Sequence, residues 1–214
     1  MTSSDVVAVL LDLVTSRSLV DRAGAQREIE RGFAEVEAAV PAIQPLHPTV
    51  GDEFQAIYPS VHAALRATLQ ARLSLPAGVD CRAGIGLGEV RVVGSGIAGD
   101  LEDGSGWWRA REAIDRAHAL EDGAVPTARG WFVAGDADGD SGEAAVNAYL
   151  LSRDALVGAL SARDRRLVLG SLRGASQKEL GEQESISQPA VSQALRRAGA
   201  GALLAGARLL EETC

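Results

Sequence analysis

Residues 6–14 read VVAVLLDLV, eight apolar side chains interrupted only by Asp12. A run this dense cannot lie on a wet surface, and it is far short of the roughly 18 residues a membrane span needs. It predicts a buried strand. Every later segment must then supply that strand with neighbours. Asp21 is placed to start a helix on which Ile29, Phe33, Val36 and Val40 recur at helical spacing, closed by Pro41 and Pro45. Leu46–Val50 and Glu53–Tyr58 flank Gly51-Asp52, a two-residue hairpin signal. Val61, Leu65, Leu69 and Leu73 form a second helical stripe, and Asp80–Leu87 returns to a strand. The order β-α-β-β-α-β within 90 residues predicts an α+β protein of ferredoxin-like (palm) type, an antiparallel sheet of order 4-1-3-2 with helices on one face.

Beyond it, Gly94–Gly106 reads as a Gly-rich loop. A helix follows, with Trp107, Ala110, Ile114 and Ala117 on one side. Residues 121–145 carry no strong period and read as a loop or weak hairpin around Trp131-Phe132-Val133, then a linker. The pattern is helical from Ala144 to the end. Two domains are therefore expected, 1–143 and 144–214, the second all-α. Their charges differ. Residues 161–214 carry eight Arg/Lys against six Asp/Glu, net +2, and residues 1–160 carry thirteen against twenty-three, net −10. An acidic body with a mildly basic tail points to separate partners. The two cysteines, Cys81 and Cys214, do not make a disulfide framework. With no signal-like or membrane-spanning run, a cytoplasmic location is expected.

In a 4-1-3-2 sheet the end of the first strand meets the start of the third. Asp12 and Asp52 stand at those places, with Glu53 next in line. Carboxylates brought together repel unless a cation joins them, and Mg²⁺ or Mn²⁺ is the usual solution. The plainer alternative is that Asp12 ends a strand and Asp52 fills a turn that favours Asp.

The segments LLDLVTSR (10–17), VGDEFQ (50–55), RAGIGLGEV (82–90) and GWWRAREAI (106–114), in that order, resemble the SatD family of bacterial proteins. More distantly they are similar to the palm domains of class III nucleotide cyclases and GGDEF proteins. The resemblance spans about residues 5–120. It implies that Asp12 and Asp52 hold a divalent metal, with Glu53 either a third ligand or a hairpin charge. It also implies that Ser16, Arg17, Gly51, Arg109 and Arg111 contact a nucleotide or phosphorylated ligand. The cyclase pattern is incomplete. The Asn expected four residues from the Arg on the helix after the Gly-rich segment is absent, the chain has one lysine, Lys178, and Val50 replaces a Gly. Ligand binding without turnover fits these losses better than cyclisation.

Three further patterns imitate functional motifs. Gly94–Gly99 spells G-x-G-x-x-G but leads into a second loop, where a dinucleotide fingerprint opens a helix. Asp136–Asp140 starts like an EF-hand loop but has Ser141 and Asn147 at its sixth and twelfth positions, and reads as a solvated linker. His47, His62 and His118 have no metal-ligand spacing.

In the tail, SQKELGEQESISQPAVSQALRRAG (176–199) resembles the helix-turn-helix of sigma-factor region 4 and LuxR-type regulators. Gly181 falls where the two helices cross, and Leu180, Ile186, Val191 and Leu195 fall at the packing positions. Glu184 and Ser185 depart from the usual apolar residue and Gly. The second helix, capped by Ser187, would present Ser187, Gln188, Ser192, Gln193 and Arg196 to a DNA groove, with Arg197 on the DNA backbone. Lys178, Arg163, Arg165, Arg166 and Arg173 would add phosphate contacts. The plainer alternative is a helical bundle with a polar wet face.

A cytoplasmic, homodimeric DNA-binding transcription regulator with a ligand-binding palm domain is the leading expectation. Its double-stranded DNA partner would be read by the tail, and no membrane partner is expected. One rival is a Mg²⁺-dependent nucleotidyl cyclase or nucleotidyltransferase using Asp12 and Asp52. The other is an interaction module whose palm domain only dimerises.

Overall fold

The computed structural model describes residues 5–15, 22–49, 51–96, 99–135 and 142–212. At its centre lies β1 (Val6–Thr15). α1 (Arg22–Ala39), β2 (Gln44–Pro48), β3 (Glu53–Tyr58), α2 (Val61–Ser74) and β4 (Val79–Gly88) follow. β1 pairs antiparallel with β3 on one side and β4 on the other, and β2 extends the sheet beyond β3. The sheet does not end at β4. β7 (Gly130–Val133) adds a fifth strand parallel to β4, giving the order β2-β3-β1-β4-β7. The sheet is thus mixed, and the weakly patterned Trp131-Phe132-Val133 is one of its strands.

The chain is α+β, but its helices cover both faces of the sheet instead of one. Val7, Val9, Leu11 and Leu13 pack with Ile29, Phe33 and Val36 of α1 and Ala64, Ala67 and Ala71 of α2. Ala8 and Leu10 alternate to the other face and meet Ala110 and Ile114 of α3 (Ser105–Asp122). Burial on both faces is why β1 reads as a continuous apolar run without alternation. Phe33 and Phe54 meet edge to face at 5.0 Å between ring centres, locking α1 to β3.

A stripe of glycines sets how closely α3 approaches. Gly84, Gly86 and Gly88 alternate along β4 on the α3 side. A methyl group on Gly86 would run into the Gly106 carbonyl and the Ala110 amide, and one on Gly84 into the Ala110 carbonyl. The glycines of GIGLG therefore serve packing: they let a helix backbone lie directly on the sheet. The described residues of the Gly-rich stretch after them are largely strand. β5 (Arg91–Gly96) and β6 (Gly99–Asp103) pair as an antiparallel hairpin that runs into α3.

The C-terminal helices are α4 (Glu143–Gly158), α5 (Ala162–Leu172), α6 (Gln177–Glu184), α7 (Gln188–Arg197) and α8 (Ala200–Glu212). α4 seals the outer rim of β7. Asn147 accepts from the Phe132 N–H at 2.8 Å and donates to its carbonyl at 2.9 Å. Glu143 accepts from the Ala134 N–H and Asp154 from the Gly130 N–H. α2 is the shared wall. One side joins the sheet core, while Leu69 and Leu73 join Val157, Leu167, Leu180, Val191 and Leu203 in a second core. Among the described residues no helix is long and apolar enough to cross a membrane.

Candidate functional site

The register of β1 and β3 decides what the acidic residues can do. Asp12 lies directly opposite Glu53 and not Asp52. Asp52 is one residue out of step, in the turn, where its carbonyl accepts the Leu13 N–H at 3.1 Å. A shift of one residue moves a side chain to the other face of a strand. Asp12 and Glu53 line a recess of about 290 Å³ with Arg82, Arg111, Asp115 and His118; Asp52 does not line it.

Each of the two carboxylates already has a cation. Arg82 Nη1 lies 3.0 Å from Asp12 Oδ2, and Arg111 Nη2 lies 2.7 Å from Glu53 Oε2. Among the described residues no three His, Cys, Asp or Glu side chains converge as metal ligands would. To reach these oxygens a divalent ion would have to displace both guanidinium groups. The ion expected at Asp12 and Glu53 would thus compete with two arginines for Asp12 Oδ2 and Glu53 Oε2. The other ligand candidates are dispersed. Arg109 donates to the Leu87 carbonyl at 2.6 Å and is packed against Gly135. Gly51 sits in the turn at φ 72° with open space around it, as a left-handed position requires. Ser16, Arg17 and Val50 lie outside the described residues, as does the linker 136–141.

Behind Asp12 runs a ladder of alternating charges that sequence pattern did not reveal. Arg82 bridges Asp12 and Glu121. Arg129 bridges Glu121 at 3.1 Å and Asp80 at 3.0 Å. Arg72 bridges Asp80 at 2.7 Å and Asp154 at 3.2 Å, and Arg153 closes on Asp154 at 2.9 Å. Exposure falls along it, from 42% for the Asp12 side chain to none for Asp154. Arg153 also donates to Thr68 Oγ1 at 3.1 Å. Asp154 accepts from the N–H groups of Arg129 and Gly130 as well, so the buried charges are hydrogen-bonded throughout. At Asp80, burial alone would raise the carboxyl. The hydrogen bond and charge of Arg72, the Cys81 N–H and Arg129 outweigh it and hold the group below its ordinary value. Burial pushes the adjacent Cys81 thiol up to about 12. The one available clue was a charged pair, Arg153-Asp154, inside an otherwise apolar helical pattern.

The second candidate surface is α5–α7. α6 opens with a capping box between Ser176 and Glu179. It ends at Ser185, in left-handed geometry at φ 55°, the only non-glycine with positive φ among the described residues. Gly181 lies under the Ile186 carbonyl, 2.7 Å from where a methyl would stand. Ser187 then caps α7, accepting from the Ala190 N–H. The two departures noted in the turn are thus accommodated. Ser185 adopts the conformation a Gly would. Glu184 folds back onto Arg166, which holds it through both carboxylate oxygens at 2.6 and 2.7 Å. The hydrogen bond from Arg166 outweighs burial and lowers the Glu184 carboxyl below its usual range.

α7 is held by Val191, Ala194 and Leu195, all buried. Gln188, Gln193, Arg196 and Arg197 are exposed and Ser192 half-buried. Arg196 makes a local bond to the Ser192 carbonyl at 3.4 Å. Gln193 and Arg197 share a groove of about 480 Å³ with Arg163 and Arg166 of α5. Lys178 is 80% exposed beside Glu182. Arg173 is turned away from this surface, bound to Glu35 of α1 at 2.6 Å.

No curated protein matches the chain. The model of the SatD family matches residues 6–205, spanning the sheet and the helices alike, and the chain belongs to the SatD family.

Proposed function

We propose that this SatD-family protein is a DNA-binding regulator, its α6–turn–α7 segment acting as a helix-turn-helix with α7 in the major groove. One observation carries the reading. The outward side of α7 bears Gln188, Gln193, Arg196 and Arg197, with no acidic residue in the helix, and its inner side is fixed by three buried apolar residues. Gln pairs bidentately with adenine, and Arg with guanine or a phosphate. Arg163 and Arg197, flanking one groove, suit the DNA backbone. Net +2 on the tail is a small electrostatic supply, so one copy binds weakly and a two-fold dimer on paired half-sites is the natural unit.

The test is fluorescence anisotropy of the full chain on duplexes enriched from a random pool. Wild type is expected to prefer the enriched duplex over bulk DNA. Gln188→Ala with Gln193→Ala should abolish most of that preference, since each bidentate pair is worth about 1–3 kcal/mol. Arg197→Ala should weaken all duplexes alike and flatten the salt slope by about one unit. Absence of any duplex binding at low salt defeats the reading.

The nucleotidyltransferase alternative has less support. It needs Asp12 and Asp52 on one ion, and Asp52 stands outside the recess while Asp12 is held by Arg82. At about 290 Å³ the recess also falls just under the range of ordinary ligand pockets.

A further inference from the structure

A second, roomier cavity lies on the opposite face of the sheet from the Asp12 recess. It opens between α1, the α2–β4 connection and α5, and holds about 860 Å³, well inside the range of small-molecule pockets. Its apolar wall is Val14, Leu73, Leu75, Leu160 and Leu169. Six charged residues border it, and three are already committed. Glu35 is bound by Arg173, Asp80 by Arg72 and Arg129, and Arg166 by Glu184. Arg31 of α1 and Arg165 of α5 have no carboxylate partner among the described residues, and Glu28 is the single acidic lining residue likewise uncommitted. The two sides of the cavity thus each offer an unspent guanidinium over an aliphatic floor. In the sheet-end recess, by contrast, Arg82 and Arg111 are both engaged.

We propose that this cleft binds a small amphipathic anion, its acid group held between Arg31 and Arg165 and its apolar body on Leu73, Leu75 and Leu160. Guanidinium groups suit carboxylate and phosphate oxygens, and a partly enclosed apolar wall strengthens such bonds. The position has a consequence. Arg165 adjoins Arg166, whose bidentate hold on Glu184 ends α6 just before α7. Asp80, on the same wall, is a rung of the buried charge ladder. A ligand here touches the sheet body and α5, the helix that carries Arg166, at once. Binding itself does not depend on the DNA reading and is measured on the protein alone, so either can fail without the other.

The probes are octyl phosphate, octanoate and inorganic phosphate, titrated into the full chain and followed by amide NMR. For octyl phosphate or octanoate, saturable shifts are expected at Gly32, Ser74, Ala77 and Gly78, which border the cavity. Arg31→Ala and Arg165→Ala should each weaken binding about tenfold, as loss of a charge-assisted bond implies. Ala162→Trp, a change at an exposed lining position, should block it sterically. The proposal is overturned if neither amphipathic probe gives saturable shifts at these amides. It is overturned equally if affinity is unchanged in both arginine variants, or if inorganic phosphate binds as tightly as octyl phosphate.

Discussion

Two polar regions of this molecule spend their charges in opposite ways. Along the ladder from Asp12 to Arg153, each charge meets a charge of the other sign. On α7, Gln188, Gln193 and Arg197 bind nothing within the chain among the described residues. Both are made of the residue types that mark functional sites in a sequence. Satisfaction is what separates them. A set of groups that neutralises itself holds the fold together, whereas an exposed set left unsatisfied on a rigid helix is available to another molecule. By that criterion the acidic pair near the sheet end groups with the self-neutralising charges, and α7 and the Arg31–Arg165 cleft are the surfaces proposed above for binding.

The sharpest way to break this contrast is Asp154→Ala. It leaves Arg72 and Arg153 buried without their shared carboxylate and should cost about 3–5 kcal/mol in urea denaturation. A small loss would mean the ladder is not structural. Next, Gly86→Ala forces a methyl into the α3 backbone and should cost about 1–3 kcal/mol, read the same way. The Gln188→Ala/Gln193→Ala variant should leave the melting temperature within about 2 °C of wild type, because exposed side chains away from structural features contribute little. A large fall would transfer these residues to the structural side of the comparison.

The ladder also predicts an acid limb. Asp80 has a lowered carboxyl value, so its contribution is complete above about pH 4, the value in an unfolded chain, and is lost as pH falls through the lower folded value. Stability measured from pH 6 down to pH 2 should drop there, and less steeply in Asp80→Asn. The smallest expected effect is at Asp12. Its side chain is 42% exposed, so Asp12→Ala should cost under about 1 kcal/mol. Millimolar Mg²⁺ should not raise the melting temperature of either protein. A Mg²⁺-dependent rise lost in Asp12→Ala would return the sheet end to the functional side.

The sequence displayed the elements from β1 to β4 because each has a clean period or a turn signal. It left β7, four residues long, as a loop or weak hairpin, because its place is fixed by Asn147 and Asp154 of the following helix and not by a period of its own. The hairpin β5–β6 was masked by its glycines, which weaken strand propensity without forbidding a two-stranded ribbon. At the sheet end, the acidic neighbours were legible but the register was not. One residue of turn geometry chose Glu53 over Asp52 as the partner facing Asp12. The arginines that neutralise them come from β4 and α3, and pairings over such distances leave no local trace. In the tail, the spacing of Leu180, Gly181, Ile186, Val191 and Leu195 was legible because all lie within sixteen residues. The salt bridge that absorbs Glu184 was not, since Arg166 belongs to the preceding helix.

The way α4 hydrogen-bonds to the rim of β7 limits how copies of this chain can meet. A bare outer strand is a template onto which a second sheet could grow. Here Asn147, Asp154 and Glu143 occupy the positions such a newcomer would use. At the opposite border, β2 carries Pro45 and Pro48, neither of which has an N–H to give. Self-assembly by continuation of the sheet is thus discouraged at both margins, and a symmetric pair has to be built from side chains on helices or on the β5–β6 ribbon.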